Sequence, residues 1–144
     1  MTYRECLDYL YTKLPMFERQ GPSGIKKDLT NTLALREKLG NPQLKFKSIH
    51  IAGTNGKGSV SHMLASILQE AGYKTGLYVS PHYRDFRERI RINGVYISKK
   101  YFIDFVNKII PAIDEIKPSF FEITVALTFN YFADKKIDIA VIET

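Results

Sequence analysis

The chain has 144 residues, of which 44% are hydrophobic and 25% charged, and its formal net charge is +6. Such a length buries a sizeable core in one domain, and such a composition is typical of a globular protein rather than a disordered or fibrous one. No apolar run approaches the roughly 20 residues of a membrane-spanning helix, and the charged N-terminus lacks a secretory apolar segment, so a cytoplasmic protein is expected.

The basic residues are spread along the chain rather than clustered, and the sequence contains no recognised nucleic-acid-binding motif. The positive charge therefore favours phosphate-bearing small molecules as partners, with no nucleic acid and no membrane. The single cysteine, Cys6, excludes an internal disulfide and a cysteine metal cluster. Its neighbours in an apolar helical segment predict a buried structural thiol.

The first part of the chain is predicted to be helical. Residues 3–14 carry leucines at helical spacing and end before Pro15, whereas glycine, proline and serine make 20–24 a loop. A second helix is predicted over 28–39, with Asp28 as a candidate N-cap. Its apolar side is predicted to comprise Leu29, Leu33 and Leu39.

A strand–helix–strand unit follows. The spacing predicts a buried strand over 46–52, a helix over 59–71 that is ended by Gly72, and a second strand over 74–80. The later elements are a hairpin at 89–98 around Asn-Gly, helices at 99–116 and 121–134, and a buried parallel strand at 137–143. Strands that alternate with helices indicate an α/β fold with a mainly parallel sheet and flanking helices. Because the chain stops directly after an apolar strand, we expect it to be part of a longer protein.

The turn between the first predicted strand and its helix is rich in glycine. Its residues are Gly53, Thr54, Asn55, Gly56, Lys57, Gly58 and Ser59. Backbone N–H groups in such a turn point to one place, and the positive end of the helix dipole adds to them, so the turn is suited to bind an anion. The Lys57 ammonium can reach β- and γ-phosphate oxygens, and the Ser59 hydroxyl can bind Mg²⁺.

The alternative is a tight turn that uses glycine for its backbone angles and carries a solvated lysine. Three glycines, a lysine and a serine exceed what a turn requires, which favours phosphate binding. The spacing departs from the common G-x-x-x-x-G-K-[ST] form, and the dinucleotide pattern G-x-G-x-x-G is absent.

The string "AGTNGKGS" resembles the ATP-binding loop of the Mur ligase superfamily and, within it, of the folylpolyglutamate synthase and dihydrofolate synthase family. Further strings resemble that family's N-terminal part in the same order: "YLYTKLPMFERQG", "LGNPQLKFKSIHIAGTNGKGS", "GYKTGLYVSPHYRDFRERIRING" and "SFFEITVALTFNYFADKKIDIAVIET". The resemblance covers nearly the whole chain.

The resemblance implies the P-loop NTPase-like fold of the Mur ligase central domain, in truncated form. Residues 1–144 would be the N-terminal part of the ATP-binding domain, without the rest of that domain or the C-terminal domain. The family's carbamylated lysine and metal-binding histidine would lie beyond Thr144, so the chain alone is expected to be catalytically inactive. The longer protein is expected to be a monomer.

The resemblance also implies the activity, which is ATP-dependent amide ligation. ATP would phosphorylate a carboxylate of dihydropteroate or of a folyl glutamate, and the amine of L-glutamate would then displace phosphate from the acyl phosphate. ATP and Mg²⁺ are the implied cofactors. Two alternatives stay open: another ligase of the superfamily that acts on a peptidoglycan precursor, and a non-enzymatic basic binding module.

The segment after the second predicted strand lies where ligands gather in open α/β sheets, which places Ser80 near a phosphate site. The resemblance gives Ser80 a second Mg²⁺ and gives the 81–91 loop a role in closing over substrate. Candidate substrate residues there are Pro81, His82 and Arg87. His82 could be a ligand or proton carrier, but a loop histidine is more often structural. A solvated hairpin face is the preferred interpretation of Arg89 and Arg91.

Glu143 ends the last apolar strand, where an unpaired carboxylate would be costly. One or two carboxylates usually hold a phosphate-bound Mg²⁺, and the resemblance places a metal-binding glutamate in "VIET". Lys57 and Glu143 are therefore the candidate catalytic residues. The resemblance puts Phe120, Phe121 and Glu122 beside the pterin site, although a carboxylate at a helix start is also favoured by the helix dipole.

Overall fold

The computed structural model describes residues 1–15 and 29–144, so the predicted loop at 20–24 and the candidate cap Asp28 lie outside the described residues. The helices are α1 (Tyr3–Lys13), α2 (Thr30–Lys38), α3 (Lys57–Glu70), α4 (Lys99–Ile116) and α5 (Phe120–Asp134). The strands are β1 (Lys47–Ile51), β2 (Thr75–Tyr78), β3 (Ile90–Ile92), β4 (Val95–Tyr96) and β5 (Ile139–Glu143). The predicted elements are confirmed, with ends shifted by a few residues. Within the described ranges, no helix combines the length and apolar character needed to cross a bilayer.

The five strands form one sheet in the order β1-β5-β2-β3-β4. β5 lies between β1 and β2 and is parallel to both, whereas β2–β3 and β3–β4 are antiparallel pairs. In the β1–β5 register, Ile49 lies opposite Val141 and Ile51 opposite Glu143. The carboxyl ends of β1 and β5 therefore meet at the same edge, and the expected α/β fold with a parallel core is confirmed.

One of the two antiparallel pairs, β3–β4, is the predicted hairpin. Asn93 and Gly94 both have positive φ angles, of 48° and 79°, as a two-residue turn that matches the twist of its strands requires. The Asn93 side chain also accepts a hydrogen bond from the Thr75 backbone N–H at 2.9 Å. This contact links the turn to the start of β2.

The chain divides into two compact units, and the first comprises Met1–Asn41 and Lys99–Asn130. Its helix α1 begins with a capping box, in which Thr2 and Glu5 each accept a backbone hydrogen bond from the other. Helix α4 continues through Pro111. Buried apolar side chains of this unit include Leu10, Leu35, Phe102, Phe105, Val106, Ile109, Leu127 and the predicted structural thiol of Cys6.

The second unit comprises Pro42–Ser98 and Tyr131–Thr144 and contains the sheet. On one face of the sheet, α3 packs its inner side chains against the central strands; this cluster contains Leu64, Ala65, Leu68, Leu77, Val79 and Val141. On β2, a Cβ at Gly76 would lie 2.8 Å from the side chains of Phe132 and Ile137. Any larger residue at this position would clash with these two side chains, so glycine allows β2 to pack closely against them.

The prediction that β1 is buried is wrong. Lys47, Ser48 and His50 are exposed, and Ile49 and Ile51 are only half-buried. The reason is the place of β1 in the strand order. It is an edge strand of the described sheet, and β5 is its one neighbour there.

The predicted apolar side of α2 is also wrong. Leu29 and Leu33 are 67% and 43% exposed, and Leu39 is half-buried. The buried residues of this helix are Leu35 and Asn31, which lie four positions apart on one face. Asn31 fits that buried position because its amide donates a hydrogen bond, at 3.4 Å, to the backbone carbonyl of Lys117.

Candidate functional site

The glycine-rich turn connects β1 to α3, which begins at Lys57, two residues earlier than predicted. Gly56 is the N-cap of the helix and has a left-handed conformation, with φ at 77°. Gly53 has φ at 152°, which side-chain-bearing residues rarely adopt. Both glycines are therefore required by the backbone, which holds the exposed turn in a defined shape.

The start of α3 offers backbone N–H groups to a ligand. The first amides of a helix have no intrahelical acceptor, and the N-cap Gly56 has no side chain that could satisfy them. A Cβ at Gly58 would meet nothing within 4 Å, so this glycine leaves open space in front of the first turn. Together with the helix dipole, these groups make the turn suited to phosphate.

Two serines in this region differ in their surroundings. Ser61 is fully buried and its hydroxyl donates to the Lys57 backbone carbonyl at 2.7 Å, so it supports the helix. Ser59 lies in the first turn and is exposed. Its hydroxyl is thus open to solvent, and its predicted role towards Mg²⁺ stays a prediction.

Glu143 is buried beside the turn, with 4% of its surface exposed. Its Oε2 accepts a hydrogen bond from the Ser80 backbone N–H at 3.0 Å, and its Oε1 lies 3.9 Å from the Lys57 ammonium. The structure thus brings together three of the predicted site residues, one from each of β5, the end of β2 and α3.

These residues fit a magnesium ion. Oε1 of the buried carboxylate has no hydrogen-bond partner in the described part of the chain closer than the Lys57 ammonium, at 3.9 Å, so it can serve as a metal ligand. The exposed Ser59 hydroxyl and the amide-rich turn lie at the same edge of the sheet. Among the described residues, no three His, Cys, Asp or Glu side chains converge on one point. One carboxylate with a hydroxyl and phosphate oxygens is the pattern by which proteins hold Mg²⁺ with a nucleotide, rather than by a full cage of side chains.

The segment after β2 is held by its own charged residues. Ser80 is joined by a cis peptide bond to the exposed Pro81. The His82 Nδ1 accepts a hydrogen bond from Arg89 Nε at 2.8 Å, and its ring packs edge-to-face on Phe86. These two contacts set the orientation of the His82 ring.

The preferred interpretation of Arg89 and Arg91 as a solvated face needs correction. Both are half-buried. Arg89 lies over Phe86, 5.6 Å from the ring centre, and Arg91 lies over Tyr96 at 5.0 Å. Arg91 also donates from Nε to the Glu88 carbonyl at 3.0 Å.

Arg87, a predicted substrate residue, is paired with Asp85. Its guanidinium donates to Asp85 Oδ2 from two nitrogens, at 3.0 and 3.2 Å, and Asp85 also accepts from the Arg87 backbone N–H. Glu88 Oε1 accepts from the backbone N–H groups of Tyr83 and Arg84, at 2.7 and 3.2 Å. These backbone hydrogen bonds lower the pKa of Glu88. Asp85 and Glu88 were not predicted from the sequence, where they were only two acids in a charged loop.

With this geometry established, the chain was compared with known proteins. No family model matches it. A dihydrofolate synthase/folylpolyglutamate synthase from Bacillus subtilis (strain 168) is 40% identical over 128 residues, which are 84% of this chain and 30% of that protein. The crystal structure of a folylpolyglutamate synthase from Thermotoga maritima matches with a TM-score of 0.86 and 45% identity, over 98% of this chain and 32% of that one. The chain belongs to the folylpolyglutamate synthase and dihydrofolate synthase family.

A further solved structure of this family is an FPGS–AMPPCP–folate complex, with a TM-score of 0.86 and 33% identity over 99% of this chain and 35% of that one. The chain therefore spans about a third of the length of the family members it matches. These relatives are folate synthases, which favours that branch over the peptidoglycan-ligase alternative.

Phe120, Phe121 and Glu122, which the resemblance assigned to the pterin site, lie in the first unit. Phe120 is 4% exposed and stacks on Tyr11 with ring centres 4.9 Å apart, whereas Phe121 is 54% exposed. Of these two rings, only Phe121 is open to solvent. Phe120 has a packing role that explains its presence.

Glu122 forms a capping box at the start of α5. Its Oε1 accepts from the Ser119 backbone N–H, and its own backbone N–H donates to the Ser119 hydroxyl, both at 3.1 Å. The spacing Ser-x-x-Glu is the signal from which this cap was predictable. The other carboxylate oxygen, Oε2, is buried and has no hydrogen-bond partner among the described residues. The capping interaction therefore uses only one of the two carboxylate oxygens of Glu122.

A groove of about 180 Å³ lies beside α3 in the second unit, with His62 and Arg91 among its lining residues. Partial burial and the neighbouring Arg91 charge lower the pKa of His62, and Glu143 opposes this effect. The charge of the Glu143 carboxylate at the end of β5 therefore affects the pKa of His62.

Proposed function

We propose that this chain provides the phosphate-binding part of an ATP-dependent ligase that adds L-glutamate to folates. The single observation that supports this most strongly is the buried Glu143 carboxylate, held by the Ser80 amide and facing Lys57, beside an amide-rich glycine turn. A structural turn has no need of a buried carboxylate and an ammonium. Membership in the folate synthase family supplies the reaction class.

Each residue of the site has a chemical task in this proposal. The turn from Gly53 to Ser59 holds the β- and γ-phosphates through its backbone N–H groups, and the Lys57 ammonium neutralises their charge. Ser59, Ser80 and Glu143 would hold Mg²⁺. When bound, the metal stabilises the charge that develops on the transferred phosphoryl group.

The reaction has two steps. A folate or pteroate carboxylate oxygen attacks the γ-phosphorus, the bond to the β-phosphate oxygen breaks, and ADP and an acyl phosphate result. The glutamate amine then attacks the acyl carbon, loses a proton and displaces phosphate, which leaves an amide bond. Neither step needs a side-chain nucleophile, and the chain contributes positioning and charge neutralisation.

Residues after β2 and at the start of α5 are proposed to contact the folate. The orientation of the His82 ring is set by Arg89, and Phe121 presents an exposed ring suited to stack on a pterin. Pro81, Arg87, Phe120 and Glu122 complete the proposed set. Phe120 would act through packing, because its ring is covered by Tyr11.

The proposal also includes the partners, the oligomeric state and the cellular location of the protein. The partners are small molecules, namely ATP, L-glutamate and dihydropteroate or folates, with no nucleic acid. The protein is proposed to work as a monomer in the cytoplasm.

Nucleotide binding is tested by calorimetric titration of the chain with AMPPCP and Mg²⁺. Replacing Lys57 with Met should weaken binding by roughly tenfold to a hundredfold, because a charge-assisted contact to phosphate is lost. Glu143→Gln should weaken it only when Mg²⁺ is present. Lys47→Met is the matched control, because Lys47 is an exposed lysine at the far end of β1. Equal affinities for all four proteins would refute the phosphate site.

Substrate class is tested on the full-length gene product that contains this sequence. It is given ATP, Mg²⁺, labelled glutamate and either dihydropteroate or tetrahydrofolate. Glutamate incorporation with one or both acceptors is the expected result and states which synthase activity the protein has. Incorporation into neither acceptor, with intact nucleotide binding, would refute the folate assignment alone.

A further inference from the structure

The buried carboxylate of Glu143 uses its two oxygens differently. Oε2 accepts the hydrogen bond from the Ser80 backbone N–H, while Oε1 faces the Lys57 ammonium at 3.9 Å. The Lys57 side chain is 30% exposed and that of Glu143 only 5%. The more exposed partner of this ion pair is therefore the lysine.

The Lys57 side chain also runs close to the phosphate-binding turn. A Cβ at Gly53 would lie 3.8 Å from Lys57 Cγ, so the lysine stem passes over the turn on its way to Glu143. The ammonium thus lies between two places that need positive charge, the buried carboxylate and the anion-binding turn.

We propose that Lys57 and the divalent metal are alternative cations for Glu143, so that the metal enters only together with the nucleotide. This inference rests on the proposed function and specifies how its site is loaded. Without nucleotide, the ammonium neutralises Glu143 and repels a divalent ion. With nucleotide, the phosphates draw Lys57 to the turn and leave Oε1 to the metal.

The physical basis is charge balance. One buried carboxylate cannot neutralise an ammonium and a divalent cation at once, and repulsion between them at such distances is strong where water is partly excluded. A triphosphate brings several negative charges and removes this conflict. Coupling between two ligands must be reciprocal, so the metal should in turn strengthen nucleotide binding.

The test measures the affinity of the chain for Mn²⁺, as a spectroscopic substitute for Mg²⁺, by electron paramagnetic resonance without nucleotide. Lys57→Met and Lys57→Gln should each bind Mn²⁺ about tenfold more tightly than the unmodified chain, because the competing ammonium is gone. Lys47→Met removes the same charge from an exposed position on β1 and should leave Mn²⁺ affinity unchanged. Thermal unfolding measured by circular dichroism confirms that each variant is folded.

Glu143→Gln in the Lys57→Met background should abolish the gain, since the gain depends on that carboxylate. With AMPPCP present, the order should reverse, and the unmodified chain should bind Mn²⁺ more tightly than either Lys57 variant. Equal or weaker Mn²⁺ binding by both variants without nucleotide would overturn the inference and leave the proposed function intact. Failure of the unmodified chain to bind AMPPCP under any condition would instead overturn the proposed function, together with the nucleotide-driven release of Lys57.

Discussion

β1 and β5 are adjacent parallel strands of five residues each, and both end at the candidate site, yet their environments are opposite. Four of the five β5 residues are buried, including Glu143, whereas none of the five β1 residues is. β5 has strands on both sides and β1 has one described neighbour. This difference in burial explains why the two strands lead to unlike surroundings at the site. The exposed strand β1 leads to an open turn, and the buried strand β5 ends in a carboxylate that is shielded from water.

The same difference bears on energetics. A charge at the end of an exposed strand is solvated at little cost, whereas a charge at the end of a buried strand requires a partner. Glu143 has such partners in Lys57 and the Ser80 amide. Four predictions test how far this contrast extends.

The largest expected effect comes from Gly76, which pairs with Ala140 of β5. Gly76→Val should destabilise the fold by about 3 kcal/mol, because even a Cβ would lie 2.8 Å from Phe132 and Ile137 in a packed interior. The free energy of unfolding is measured by urea denaturation. Gly58→Ala is the control, since a Cβ there meets nothing. A stable Gly76→Val variant would contradict the packing around β5.

A matched pair tests the two strands directly, because Ile49 of β1 and Val141 of β5 lie opposite each other. Val141→Ala should cost about 2 to 3 kcal/mol, since the residue is fully buried and a cavity remains. Ile49→Ala removes more atoms but should cost only about 1 kcal/mol, since that residue is half-buried. The same denaturation experiment measures both. Equal costs would mean that β1 is as buried as β5.

A smaller effect is expected where the two strand ends are linked by side chains. His50 Nε2 and Thr144 Oγ1 are 2.5 Å apart in an exposed position. Thr144→Val should therefore destabilise the fold by only about 0.5 to 1 kcal/mol. The urea midpoint of this variant, beside that of Ile49→Ala, shows which contact holds β1 to β5. A loss as large as that of Val141→Ala would contradict the exposed character of this edge.

The smallest effect concerns the pKa of His62, which burial and the Arg91 charge lower below the ordinary value of 6.5. The folded chain then binds fewer protons at His62 than the unfolded chain does just below that value. Stability should consequently fall slightly as the pH drops from about 6.5 towards the lowered pKa. Proton NMR titration of the His62 ring measures the shift.

Glu143→Gln should lower the pKa of His62 further, because the carboxylate that opposes the shift is neutralised. Arg91→Gln should raise it. Glu70→Gln, at the other end of α3, is the matched control and should leave it unchanged. A His62 pKa that does not respond to Glu143→Gln would mean that the charge at the end of β5 is fully screened from α3.

Much of the fold was predictable because it is encoded locally. The Asn93-Gly94 turn requires positive φ at two positions, which specifies a hairpin, and the cluster of glycines before Lys57 specifies a turn between β1 and α3. The capping box of Ser119 and Glu122 was equally readable from its spacing and was missed. The roles of Phe121, His82 and Ser80 towards ligands stay predictions.

The sequence by itself determined which segments are helices and strands, and where the glycine-rich turn lies, since backbone angles and side-chain periodicity depend on near neighbours. Only the tertiary structure decided which strand is central, that Leu29 and Leu33 of α2 are exposed, and that Lys57 faces Glu143. Those facts depend on contacts between distant positions, such as Ser80 with Glu143 across 63 residues. Lateral order in a sheet follows from the packing of the whole chain, which local spacing does not encode.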